Sequence, residues 1–218
     1  NQLELIKSNF RNKDVSFSLD SIVKFNPFFS IYSNININEI DKNLINNLSL
    51  EKILTNKEII KKLNSKIKIT YKGKKYFTEV IESYTSDLNL AYGRIDFTNK
   101  FLIAGNKINC KGDSILTDEF PRLNFICLID LKNKKKFLKK FSISKKLNQD
   151  SKNITIKGSL NLFNKKVNFE KISNDKSYLA NDEDLQYFKV QFENIMFDQN
   201  FFQIFKKDKI EKFLLEVI

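Results

Sequence analysis

Polar and apolar residues alternate along most of this chain, and the alternation is cleanest from Ile154 to Phe169, ITIKGSLNLFNKKVNF. Ile154, Ile156, Leu160 and Leu162 share one parity, with Thr155, Lys157, Ser159 and Asn161 between them, the period-two pattern of a strand buried on one face. Gly158 is the one gap. Asn164 and Lys165 suit a two-residue hairpin turn, because Asn tolerates positive φ, and parity then reverses at Val167 and Phe169. That loop sets Leu162 opposite Val167 and Leu160 opposite Phe169, so all four share one face.

The same habit runs through the earlier chain. Val15, Phe17 and Leu19 predict a first strand, and Phe29, Ile31, Ile35 and Ile37 predict a second after the break at Pro27, with Ser33 its polar exception. Ile67, Ile69 and Tyr71 form the next, with a turn at Gly73 ahead of Tyr76 to Ile81. From Leu88 the short alternating sets Leu88/Leu90, Ile95/Phe97, Phe101/Ile103 and Ile108/Cys110 are divided by turn material at Tyr92–Arg94, Thr98–Lys100 and Gly105–Lys107. Such spacing predicts an antiparallel meander. Leu123, Phe125, Cys127, Ile129 and Leu131 give the longest unbroken parity.

Two stretches break the period. Between residues 39 and 63, Ile40, Leu44 and Leu48 recur every fourth position, and Thr55 with Glu58 forms a capping box ahead of Ile59, Ile60 and Leu63. Two or three short helices closing one end of the sheet are expected there. After Tyr178, the acidic run Asn181–Asp184 suits a helix N-terminus. Leu185, Phe188, Phe192 and Ile195 follow at helical spacing, Asp198 caps a second helix with Phe201, Phe202 and Phe205, and Asp208 with Glu211 caps a third. This aromatic tail either packs on the end of the sheet or acts as a plug for a lipid or partner. Residues 1–176 are thus expected to be a β domain with a helical insert, and 177–218 an amphipathic helical cap.

Composition narrows the function. The chain of 218 residues is 41% hydrophobic and 13% aromatic, enough for a sizeable core. No run approaches the roughly 20 apolar residues of a membrane-spanning helix. A formal charge of +12 invites a polyanion-binding reading, but Arg stands only at Arg11, Arg94 and Arg122, and base or phosphate recognition favours the Arg fork. No specific nucleic-acid partner is expected. The lysine run Lys132–Lys146 contains Lys134, Lys135, Lys136, Lys139 and Lys140 with Phe137, Leu138 and Phe141 between them; it is either a solvated connector or a segment lying on an anionic membrane.

Histidine is absent, which removes Ser-His, Cys-His and His-metal chemistry together. Cys110 and Cys127 lack zinc-site spacing and are either buried thiols or a cross-strand disulfide of an oxidising compartment. Asp113, Asp118 and Glu119 are the one tight acidic group among the strands and have no catalytic companion. Neither an enzyme, a cofactor nor a metal is expected.

The run LNLAYGRIDFTNKFLIAGNKINCKGDSILTDEFPRLNF (Leu88 to Phe125), with IKGSLNLFNKKVNFEKI (Ile156 to Ile172), resembles the C-terminal region of AsmA-like proteins. FSLDSIVKFNPFFSIYSNININEIDKNLI (Phe17 to Ile45) is similar to the scaffold of that family. The resemblance implies a periplasmic envelope protein held at the inner membrane by an N-terminal helix preceding this chain. It also implies a curved, half-open β-groove that takes phospholipid acyl chains, serves outer-membrane lipid transport and assembly, and meets other envelope proteins. A nine-residue strand spans about 30 Å, long enough for an acyl chain. Expected groove residues are Phe17, Leu19, Phe125, Ile129, Ile156, Leu160, Leu162, Val167 and Phe169. The same face serves equally as a covered core, which makes a structural scaffold the alternative.

Overall fold

The computed structural model describes all residues except 42, 43, 45, 46, 72–79, 145–151, 198–203, 205 and 218. Ten strands form one open sheet in sequence order: β1 (Gln2–Arg11), β2 (Val15–Lys24), β3 (Ser30–Ile40), β4 (Asn64–Tyr71), β5 (Ile81–Ala91), β6 (Arg94–Ile103), β7 (Asn106–Ile115), β8 (Arg122–Asp130), β9 (Asn153–Asn161) and β10 (Val167–Asn174). Short helices α1 (Leu50–Leu54) and α2 (Lys57–Lys62) join β3 to β4, α3 (Lys134–Lys140) joins β8 to β9, and α4 (Asp182–Met196) and α5 (Lys207–Val217) end the chain. The mainly β, half-open architecture follows from one-faced strands: each gains a packed apolar side only by lying beside the next.

One neighbour pair departs from the antiparallel meander. β3 and β4 run parallel, Ile31 opposite Ser65 and Ile35 opposite Ile69. Parallel neighbours require the chain to return along the sheet, and the segment bearing α1 and α2 makes that return. Leu54 and Ile60 bury against Leu116, Leu160, Leu162 and Val167, so these helices close one end of the sheet. Thr55 does not cap α2; it follows α1 and its hydroxyl donates to the Lys52 carbonyl, while Asn56 precedes α2.

β1 has no counterpart in the sequence expectations because a bulge hides it. Leu3 and Leu5 keep one parity, Lys7 adopts a φ of 46°, and the face resumes at Ser8 and Phe10. β6 is also longer than its pattern indicates. Thr98–Asn99–Lys100 is no turn but mid-strand, and Asn99 is accommodated on the apolar face by the Tyr84 hydroxyl, 3.0 Å from its Oδ1. Tyr92–Gly93 and Ala104–Gly105 are two-residue turns with both φ positive, which suits the Gly at each second position.

The β9–β10 hairpin has a different register from that expected. Leu160 pairs with Val167 and Gly158 with Phe169, because the loop spans Leu162–Lys165. Asn161 Oδ1 accepts from the amides of Phe163 and Asn164, and Lys165 takes the left-handed φ of 58°. The shift is two residues, so the apolar face survives it. The Gly73 turn, most of Tyr76–Ile81, and Asp198, Phe201, Phe202 and Phe205 lie outside the described residues.

The C-terminal helices pack on the sheet. A capping box of Asn181 and Asp184 starts α4. Phe192 meets Phe169 edge-on at 5.7 Å, and Glu193 accepts from the Val167 amide at 3.0 Å and pairs with Lys166 at 2.8 Å. On α5, Ile210 and Leu214 join a second cluster with Ile81, Ile103, Leu138 and Phe141. The β10 edge is further closed by Ala180 and Asn174, whose amides bond the carbonyls of Ile172 and Tyr178.

Candidate functional site: the open apolar face

Register assigns one side of every strand to the same surface. A complete row crosses the sheet as Leu5, Ser21, Ser33, Ile67, Leu88, Phe97, Gly112, Phe125, Gly158 and Phe169. Beside it run Ser8, Leu19, Ile35, Ile69, Ser86, Asn99, Cys110, Cys127, Ile156 and Ile172. A third row holds Phe10, Phe17, Ile37, Tyr71, Tyr84, Phe101, Ile108, Ile129 and Ile154. None of these positions carries a charge. The opposite side holds the lysines and acids of the strands, among them Lys66, Lys68, Lys111, Lys157 and Asp87.

The two halves of the apolar side differ. Over β5–β10 it is sealed by helices: Leu160, Leu162 and Val167 are buried beneath α1, α2 and α4, and Ile81 and Ile103 beneath α3 and α5. Across β1–β4, Phe17, Leu19, Val23, Ile31, Ile35, Ile37, Ile67 and Ile69 are only half-buried. A cleft of about 750 Å³ runs over β1–β6 on the opposite, polar side of the sheet. Its lining comes in triplets centred on Leu5, Ser21, Ser33, Ile67, Leu88 and Phe97, and the flanking members, among them Glu4, Asp20, Lys66, Lys68, Asp87 and Asp96, turn their side chains to that polar side, so the apolar rows lie behind its floor.

Ser21 and Ser33 are the polar exceptions in the apolar side of β1–β4. Their hydroxyls lie 2.6 Å apart and bond each other, so two small polar groups are satisfied without a charge or a water-facing side chain. Cys110 and Cys127, directly opposite across β7 and β8, form a disulfide with Cα atoms 4.1 Å apart. Among the described residues of these rows the titratable groups are Tyr71 and Tyr84, and burial raises both hydroxyls above their ordinary value of 10. Apolar strands, the Ser21–Ser33 pair bonded to itself and tyrosines kept neutral make this a surface whose chemistry is apolar contact.

The expected groove residues all belong to this side, in two environments. Phe17 and Leu19 stand in the open half, Phe17 stacked on Phe10 at 5.3 Å. Phe125, Leu160, Leu162, Val167 and Phe169 lie in the sealed half around one cluster; Ile129 and Ile156 line the strands between the helices and are half-buried. Sequence reasoning left out Leu5, Ile67, Ile69, Leu88 and Phe97, which extend the same apolar rows over β1 and β4–β6. The signal was present in the alternation of β4 to β6, but only the pairing of β4 with β3 brings these residues beside Leu19.

The lysines Lys134, Lys135, Lys136, Lys139 and Lys140 lie on α3, which anchors itself through Leu138 and Phe141 and turns Lys135, Lys136 and Lys139 to solvent. Lys136 approaches Glu82 at 4.0 Å. Asp113 pairs with Arg94 at 3.8 Å. Among the described residues no group of three potential ligands is placed to hold a metal ion, and no helix is long and apolar enough to cross a membrane. Comparison with protein-family models, curated proteins and solved structures finds no match for this chain.

Proposed function

We propose that this protein binds phospholipid acyl chains on the open apolar face of β1–β4, as a periplasmic component of lipid transport and outer-membrane assembly. The observation that carries the reading is the uncharged apolar side of β1–β4, where Leu19, Ile35, Ile67 and Ile69 are left half-buried while the other half of the same surface is sealed by helices. Each methylene buried there contributes about 0.8 kcal/mol, so part of one acyl chain suffices for binding. The Cys110–Cys127 disulfide favours an oxidising compartment. The resemblance of Leu88–Phe125 and Ile156–Ile172 to AsmA-like proteins supplies the envelope setting.

The test is native mass spectrometry of the chain extracted from membranes in mild detergent. Phospholipid adducts displaced by excess free fatty acid are expected, and a chain that is always empty overturns the proposal. A structural scaffold of the envelope is the second reading, favoured by the solid packing over β7–β10.

A further inference from the structure

We propose that the protein seats one rim of its sheet in the interface of a phospholipid bilayer, through Phe25, Phe28 and Phe29. These residues form the β2–β3 loop, and they are 49%, 64% and 40% exposed. Phe25 and Phe29 lie with ring centroids 6.1 Å apart, and the Phe25 amide bonds the Asn1 carbonyl at 3.1 Å, so the loop is held at the sheet's end. Three solvent-facing phenyl rings stand on one short loop, and no described residue of the chain covers them. Such a patch marks a docking site, and aromatic rings are the side chains that settle best at a membrane–water boundary.

The charge pattern favours a bilayer as the occupant. Between Asp20 and Glu39 the chain carries no carboxylate, and its one charge is Lys24, whose Nζ sits 5.6 Å from the Tyr32 ring centroid. A cation beside aromatic rings suits an anionic headgroup region. Strand direction places the β5–β6 turn and the β7–β8 loop on the same rim, where Tyr92 and Phe120 are 67% and 60% exposed. Asp118 and Glu119 precede Phe120, so insertion centres on the β2–β3 loop. The open face also ends at this loop: Val23 and Ile31 pair directly behind it. Insertion therefore makes the bilayer interior continuous with the apolar side of β1–β4, an extension that rests on the lipid-binding reading.

The chain contains no tryptophan, so Phe28→Trp provides a single reporter. With vesicles of phosphatidylethanolamine and phosphatidylglycerol, its emission is expected to shift to the blue and to be quenched by brominated acyl chains. Co-sedimentation should fall by roughly tenfold or more when Phe25, Phe28 and Phe29 are all replaced by Ser, with the far-ultraviolet circular dichroism unchanged. An unshifted, unquenched reporter overturns the inference even if the triple variant misfolds, and so does undiminished co-sedimentation of a folded triple variant. Retention of bound lipid by the triple variant separates the rim from the open face. Vesicle binding by a chain that never carries lipid upholds the rim and removes the lipid-binding reading of that face alone.

Discussion

The ring of Phe125 covers Gly158 on the neighbouring strand: a Cβ on that glycine would stand 3.1 Å from the ring's Cζ and would collide with the Asn168 carbonyl oxygen. The arrangement repeats along the row, where Phe97, Gly112, Phe125, Gly158 and Phe169 alternate across five strands. Each large ring is given the space that the next residue vacates. Gly158→Ala therefore overpacks the sheet, and a loss of about 1–3 kcal/mol is expected. Thermal melting reads such a loss as a fall of roughly 2–4 °C per kcal/mol. Gly112→Ala behaves alike, since its Cβ meets the Phe97 ring at 2.8 Å and the Asn124 carbonyl. A Gly158→Ala variant as stable as the parent would remove the glycine–aromatic row as a structural device.

That row shows what a sequence reading reaches and where it stops. Phe125, Leu160 and Phe169 announce their shared face by parity alone, whereas Gly158 is a gap in the pattern until its pairing with Phe125 is known. The β9–β10 register was two residues from expectation because Asn161, not the Asn164–Lys165 pair, organises the loop. β1 escaped notice because one bulge at Lys7 reverses its parity. The parallel β3–β4 pair has no local signature at all. It follows from the length of the helical return, and it decides that Ile67 and Ile69, not the β9–β10 residues, share the open apolar face with Leu19.

The disulfide between Cys110 and Cys127 closes a loop across a sequence separation of 17. Restriction of the unfolded chain by a loop of this size contributes about 3 kcal/mol. Replacing both cysteines by Ser, or reducing them, is expected to lower the denaturation midpoint without changing the β-sheet signal. Free thiols in protein isolated from its native compartment, measured by alkylation and mass, would overturn the oxidised pairing.

Tyr178 gives the protein an alkaline limit. Its hydroxyl donates to Asp184 Oδ2 at 3.0 Å; burial first, then that carboxylate, push its pKa up to about 12 from an ordinary value of 10. The folded state thus holds this proton more tightly than the unfolded chain does. The associated stability is complete below pH 10 and is lost as the pH rises through 10 towards about 12. Half-buried Tyr84, also raised, adds to the loss in the same direction. Denaturant melts at about pH 9 and about pH 11 should show a smaller difference for Tyr178→Phe than for the parent. An equal difference would assign the alkaline limit elsewhere.

Leu19 and Leu160 share the apolar side but stand in its two different halves, so the same substitution should fail in two different ways. Leu160 is 7% exposed within the cluster of Leu54, Leu162 and Val167. Aspartate there introduces an unpaired buried charge, at a cost of about 4 kcal/mol or more, and unfolding is the expected outcome. Leu19 is half-buried on the open apolar face, opposite Ile35. Aspartate at 19 can reach water, so the fold should persist with a modest drop in melting temperature. Its charge would nevertheless lie on the path of an acyl chain, and lipid adducts in native mass spectra should be lost. Unfolding by both variants would make the open face a structural surface. A folded but lipid-free Leu160→Asp would instead move the binding site beneath the helices.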